Sequence, residues 1–163
     1  MPRPYTIVHE PYLIEWLSRN FPPGTWMTNV RLGLPKAELR RLAQTPEELR
    51  ALKLWTAQAD AVVILPDKVI IVEALVRPEW WKIEQLLEYE RLFKHTPEFA
   101  EHWNKPIEKV LLTVDIDDFH RMIAEERGVR VVIYRPAWIE SYLARYPPRR
   151  RRPPLAMLET ERE

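Results

Sequence analysis

The chain has 163 residues, of which 46% are hydrophobic and 30% charged, a balance typical of one globular domain and not of a disordered chain. It contains no cysteine, which excludes a disulfide scaffold, thiolate catalysis and cysteine-bound zinc or iron–sulfur centres. The net charge is +1 and no apolar run approaches the ~18 residues of a membrane helix, so neither a chain that is basic throughout nor a membrane-spanning chain is expected.

The first part of the chain predicts a helix, a strand and two short helices. Apolar side chains recur at helical spacing over residues 9–20, and strand-forming residues alternate over 26–34. A short helix is predicted over 36–42. A further helix begins after Thr45, whose hydroxyl suits the capping position, and continues to Trp55.

Two apolar, β-branched segments, residues 59–65 and 68–76, follow with only Pro66 and Asp67 between them. Two strands joined by a turn of this kind predict an antiparallel hairpin.

Helices and strands then alternate to the end of the domain. Helices are predicted over residues 78–94, 115–127 and 136–146, and apolar strands over 107–114 and 129–134. Helical connections imply parallel pairing, and continuous apolar strands are typical of a sheet covered on both faces. The predicted fold class is α/β, a mixed central sheet with a leading β-hairpin, flanked by helices.

The hairpin places two carboxylates opposite each other. Pairing partners in a hairpin have a constant sum of residue numbers, so a turn at 66–67 sets Asp60 opposite Glu73. Adjacent carboxylates repel unless a proton or a cation lies between them, and a divalent metal held by oxygen ligands would resolve the repulsion. The alternative is that one carboxylate faces solvent or an arginine such as Arg77.

These residues resemble the core of a known family. Asp60, Glu73 thirteen residues later, and a helix that carries Gln85 and Tyr89 are similar to the PD-(D/E)XK nuclease superfamily, which has a restriction-endonuclease-like core. The resemblance implies that Asp60 and Glu73 bind Mg²⁺ and that Gln85 and Tyr89 flank the site, with Tyr89 in contact with nucleic acid. It also implies a further acid on the first helix, Glu15 or Glu10.

One family position differs. The family has a lysine two residues after the glutamate, where this chain has Leu75. Some members of the superfamily carry that lysine on the next helix instead. By this resemblance, Lys82 is the candidate in this chain. Lys82, Gln85 and Tyr89 are three and four residues apart and therefore share one helix face. The alternative is a surface lysine that lies over Trp81 or pairs with Glu79.

Other catalytic motifs are not supported. The histidines His9, His95, His102 and His120 lack metal-ligand spacing and are expected to be structural or surface residues. No serine lies in a nucleophile elbow, and none of the three glycines forms a phosphate-binding loop.

The C-terminal residues 147–163 are expected to form a proline- and arginine-rich arm on a domain of residues 1–146. Residues 1–144 have a net charge of −2, whereas the arm carries four consecutive arginines: Arg149, Arg150, Arg151 and Arg152. Such a cluster is expected to bind DNA, an acidic protein surface, or both. The alternative is a solvated tail.

Two functions follow from these patterns. One is a nuclease-like, DNA-associated protein without catalysis that serves assembly, as phage head-completion or head–tail neck proteins do. The other is an active Mg²⁺-dependent DNA endonuclease that uses Asp60, Glu73 and Lys82, so enzymatic activity stays open. A homo-oligomer or larger assembly stays open. Because residues 1–5 lack the apolar core of a signal peptide, a location in the cytoplasm or a virion is expected. Few glycines and many prolines favour a thermophilic source.

Overall fold

The computed structural model describes residues 4–52 and 56–145. A five-stranded sheet lies at its centre, and the strands stand side by side in the order in which they occur in the chain. The strands are β1 (Trp26–Gly33), β2 (Thr56–Ile64), β3 (Val69–Leu75), β4 (Ile107–Thr113) and β5 (Val129–Ile133).

Helices cover both faces of the sheet. They are α1 (Pro4–Asn20), α2 (Lys36–Leu42), α3 (Pro46–Leu52), α4 (Lys82–Phe93), α5 (Asp118–Glu126) and α6 (Ile139–Arg145), with a 3₁₀ segment at Pro97–His102. One core cluster lies between the sheet and helices α4 and α5, and the other lies between the sheet and helices α1 and α6. Within the described ranges, no helix is both long and apolar enough to cross a membrane.

The sheet is mixed, as the sequence predicts. Strands β1, β2 and β3 pair antiparallel, whereas β3, β4 and β5 pair parallel through helical crossovers. In the β2–β3 hairpin Ala61 pairs with Val72, and Leu65 N donates to Lys68 O over 2.9 Å to close the turn at Pro66 and Asp67. The predicted α/β fold class and the hairpin register are confirmed.

Several boundaries differ from the predicted ones. Helix α1 begins at Pro4 rather than at residue 9, and β2 begins at Thr56, so Asp60 lies inside the strand instead of opening it. Helix α4 begins at Lys82 rather than at 78, because residues 79–83 form tight turns in which Lys82 N donates to Glu79 O. Helix α5 begins at Asp118, after the Asp117 carboxylate caps it.

Strand β5 is less covered than its apolar sequence predicts. It forms the edge of the sheet, and Val129 alone among its five residues is buried. Arg130, the second residue of β5, reaches the neighbouring strand, where its Nη1 donates to Glu108 Oε1 over 2.7 Å. Both faces of the sheet are therefore covered at β3 and at the last part of β4, but not at the edge strand β5.

Candidate active site

The hairpin holds Asp60 and Glu73 against each other. Asp60 N donates to Glu73 Oε1 over 3.2 Å, and Ala74 N donates to Asp60 Oδ2 over 2.9 Å. Each carboxylate thus accepts a hydrogen bond from the backbone of the opposite strand. Glu73 is 2% exposed, so an acidic side chain lies in the core of a strand that is otherwise apolar.

Lys82, the first residue of α4, reaches this pair. Its Nζ lies 3.5 Å from Glu73 Oε2, 3.9 Å from Asp60 Oδ2 and 3.5 Å from the carbonyl oxygen of Ala74. The two carboxylates are therefore closer than the ~8 Å that separates diagonal cross-strand neighbours. The side chain of Leu75, at the usual lysine position, is fully buried in the core beneath α4.

Both interpretations of Lys82 describe part of what is observed. Its ammonium lies 3.3 Å from Glu79 Oε2 and 6.0 Å from the centre of the Trp81 ring, as expected for a surface lysine. However, Lys82 is only 9% exposed, because the same ammonium also contacts Asp60 and Glu73. The residue is an internal cation of the carboxylate pair and not a surface lysine.

The two other predicted residues of α4 face the same place. Gln85 lies one helical turn after Lys82, and its Oε1 accepts a hydrogen bond from Tyr89 OH over 3.1 Å. Tyr89 is 4% exposed. Burial, together with the nearby carboxylate of Glu73, raises the pKa of Tyr89, so its hydroxyl stays protonated. The structure therefore brings Lys82, Gln85 and Tyr89 together on one helix face beside Glu73.

His9 belongs to the site although it was expected to be an ordinary structural or surface histidine. Its Nε2 lies 3.1 Å from Asp60 Oδ2 and 3.1 Å from Ala74 O. A sequence signal for this position exists, since His9 precedes buried Tyr12 and Leu13 by three and four residues on α1. His9 therefore lies on the core-facing side of α1, one helical turn before Tyr12 and Leu13.

The structure does not bring Glu15 to the pair. Glu15 lies about 9 Å further along α1 than His9 and accepts hydrogen bonds from Arg19 and from Trp138 Nε1, the latter over 2.7 Å. Glu10, the alternative acid of the first helix, accepts from Asn29 Nδ2 over 3.0 Å. Among the residues described, no group of three or more histidine, aspartate or glutamate side chains is arranged to hold a metal.

The carboxylates of the pair differ in proton affinity. Burial and the neighbouring charge of Asp60 raise the pKa of Glu73 to about 8. Burial also opposes ionisation of Asp60, but the hydrogen bond from His9 and the charge of Lys82 hold its pKa below the ordinary value. Asp60 is therefore the carboxylate of the pair that ionises more readily, and Glu73 is the one that keeps its proton to higher pH.

The similarity of this chain to known proteins is weak. No family model matches the chain, and no curated protein matches it. A solved structure, that of an EndoMS–dsDNA2 complex, is similar with a TM-score of 0.44 and 14% sequence identity. The match covers 78% of this chain and 44% of that chain, so this chain corresponds to less than half of that protein.

The arginines Arg149, Arg150, Arg151 and Arg152 lie outside the described residues. Their binding to DNA or to an acidic protein surface stays a prediction from the sequence.

Proposed function

We propose that the chain is a metal-dependent DNA nuclease with a PD-(D/E)XK-type site whose lysine is supplied by α4. The observation that carries this proposal is the position of Lys82 Nζ, 3.5 Å from Glu73 and 3.9 Å from Asp60. Lys82 would thus supply the charge that Leu75 cannot supply. In addition, the two carboxylates beside this cation have shifted pKa values, and groups with shifted pKa values are candidates for a functional site.

The donors at the pair suit magnesium. Asp60 and Glu73 supply carboxylate oxygens and Ala74 supplies a carbonyl oxygen, and hard divalent cations prefer such oxygen donors. These residues would hold Mg²⁺, which when bound supplies charge stabilisation for a phosphodiester and a more acidic water.

The remaining side chains have separate tasks in the proposed site. The Lys82 ammonium supplies a positive charge where a phosphate would gain negative charge. His9 fixes the orientation of Asp60 through its hydrogen bond at Oδ2, and the protonated hydroxyl of Tyr89 orients Gln85.

A cleavage assay tests the proposal. The full chain is incubated with linear, nicked, flapped and single-stranded DNA at pH 8 with Mg²⁺ or Mn²⁺, and with EDTA as the blank. We expect cleavage that Glu73→Ala abolishes and that the Glu15→Ala variant of the same preparation retains. Absence of cleavage of every substrate with both metals would contradict the proposal.

A non-catalytic assembly role is the second candidate, and one observation favours it. Lys82 already neutralises the Asp60–Glu73 pair without a metal, so the buried charges are compatible with a purely structural ion pair. Calorimetric titration with Mg²⁺ separates the candidates. Binding that Glu73→Ala removes supports the nuclease, whereas no binding with retained DNA affinity supports the assembly role.

A further inference from the structure

Asn29 breaks the regular geometry of β1 opposite the carboxylate pair. Its φ is +52°, in the left-handed region that residues other than glycine rarely adopt. The residues on either side of it pair with Ala61 and Ala59, so Asn29 stands at the register position of Asp60. Strained backbone of this kind costs free energy and concentrates at functional sites.

The side chain of Asn29 connects this kink to α1. Asn29 Nδ2 donates to Glu10 Oε1 over 3.0 Å, and Glu10 directly follows His9, whose Nε2 lies 3.1 Å from Asp60 Oδ2. Asn29 is therefore linked to Asp60 by two routes, through its place in the sheet and through α1.

A cleft of about 230 Å³ lies between α1 and β1, and its lining consists of His9, Glu10, Leu13, Thr28 and Asn29. Because it shares His9 with the candidate site, a nucleoside next to a phosphate held at Asp60 and Glu73 would lie beside this cleft. Four of the five lining residues are polar, so the cleft offers hydrogen-bonding groups to a ligand, with Leu13 at its base as the single apolar side chain. The negative charge of Glu10 disfavours a phosphate in this cleft, so the base is the part of a nucleotide that suits it.

The polar groups of the cleft favour a ligand that donates hydrogen bonds. The Asn29 amide nitrogen donates to Glu10, so the Asn29 amide oxygen and the Glu10 carboxylate offer acceptors to a ligand. Adenine, cytosine and guanine each carry an exocyclic amino group, whereas thymine carries none.

We propose that the Glu10–Asn29 cleft binds one nucleobase with an exocyclic amino group beside the cleaved phosphate and discriminates against thymine. This inference rests on the proposed nuclease function, from which it takes the position of the phosphate. Asn29 would then be a specificity-determining residue, and the strain at Asn29 would serve to place its amide in the cleft.

Two measurements on the full-length chain test the cleft. Cut positions are mapped on a random-sequence DNA library, and Asn29 side-chain amide signals are followed by NMR during titration with the four deoxynucleoside monophosphates. We expect thymine to be depleted about tenfold at one position beside the cut, and thymidine monophosphate to bind about tenfold more weakly than the others.

The informative variant is Asn29→Gly. Glycine adopts positive φ without strain, so the kink and the thermal stability are retained while the amide is lost. We expect thymine depletion to disappear in Asn29→Gly and to persist in the control Asn104→Gly, an exposed position before β4. Cleavage without thymine depletion, or depletion that survives Asn29→Gly, overturns the proposal.

The proposed function and the cleft fail in distinguishable ways. If the wild-type chain cuts no DNA, the nuclease assignment fails and the nucleotide titration alone decides on the cleft. Weaker binding of thymidine monophosphate then supports the cleft, and equal or absent binding of all four nucleotides overturns it.

Discussion

Lys82 is the residue on which the proposed chemistry depends most directly. Replacing it with the uncharged, similarly long methionine, Lys82→Met, should reduce kcat by about 100-fold or more, because one positive group at the developing charge is lost. The matched control is Lys109→Met, since Lys109 is 12% exposed and pairs with Glu90 away from the site. Equal kcat for Lys82→Met and the wild type would contradict the assigned role.

The same substitution should also cost stability. A surface lysine contributes little to folding, but Lys82 is buried and its ammonium contacts Asp60 and Glu73, so its loss is expected to destabilise the fold. We expect a lower midpoint of urea unfolding for Lys82→Met at pH 8, measured by circular dichroism. An unchanged midpoint would mean that solvent already screens the pair.

Glu73 should make the proposed metal binding depend on pH. Its pKa of about 8 means that the carboxylate is mostly protonated at neutral pH, and a proton must leave before the oxygen can bind a cation. Mg²⁺ affinity and cleavage should therefore rise between pH 6.5 and 9. Calorimetry in buffers of different ionisation enthalpy measures both the affinity and the released proton, and a pH-independent affinity would contradict the prediction.

Glu73 also makes stability depend on pH, in the opposite direction. Because its folded pKa is raised from 4.5 to about 8, its contribution is complete below pH 4.5 and is lost as the pH rises through 8. The isosteric Glu73→Gln stays neutral and should lack this decline, while it loses metal binding. Urea unfolding from pH 5 to 9 compares the two chains, and parallel curves would refute the assignment.

At the scale of elements, Thr96 connects the end of β1 to the end of α4. Its buried Oγ1 accepts from Gly33 N and donates to Leu92 O, both over 2.8 Å. Thr96→Val keeps the shape but leaves Gly33 N–H without this partner, so we expect a loss of about 1–3 kcal/mol in the free energy of unfolding. Thr96→Ser retains the hydroxyl and should lose less, which chemical denaturation can measure.

Local patterns in the sequence predicted the elements and the hairpin. The turn at Pro66 and Asp67 determines the β2–β3 register, and this register places Asp60 beside Glu73 without any further information. Helical spacing likewise placed Lys82, Gln85 and Tyr89 on one face, and the structure turns that face toward the pair.

What the sequence did not reveal depends on contacts between distant segments. Glu15 accepts a hydrogen bond from Trp138, 123 residues later, because α6 packs beside α1 on the same face of the sheet. His9 lies inside the predicted first helix, but its contact with Asp60 joins residues 51 apart in the chain and depends on how α1 packs beside the hairpin. The kink at Asn29 has no signature beyond the tolerance of asparagine for left-handed backbone.

At the scale of the whole molecule, charge is divided between the body and the arm. Residues 1–144 carry a net charge of −2, and the arm carries four consecutive arginines. Deleting residues 147–163 should therefore weaken DNA binding and reduce the slope of log affinity against log salt concentration by several phosphate contacts. Fluorescence anisotropy over a salt series measures both quantities.

A different result would point to a protein partner. If the truncated chain keeps its DNA affinity but no longer co-purifies with its native assembly, the arm docks on an acidic protein surface. If neither property changes, the arm is a solvated tail and its predicted role is wrong.

The strand order has a consequence for synthesis. Since each strand lies next to its neighbour in the chain, every new strand meets an edge that is already present, and none has to be inserted between two others. His9, Asp60, Glu73, Lys82 and Tyr89 all precede residue 94, so the elements that carry them emerge from the ribosome ahead of β4 and β5. The nascent chain can thus assemble the half that holds the candidate site first and complete the sheet afterwards, by addition of strands at one edge.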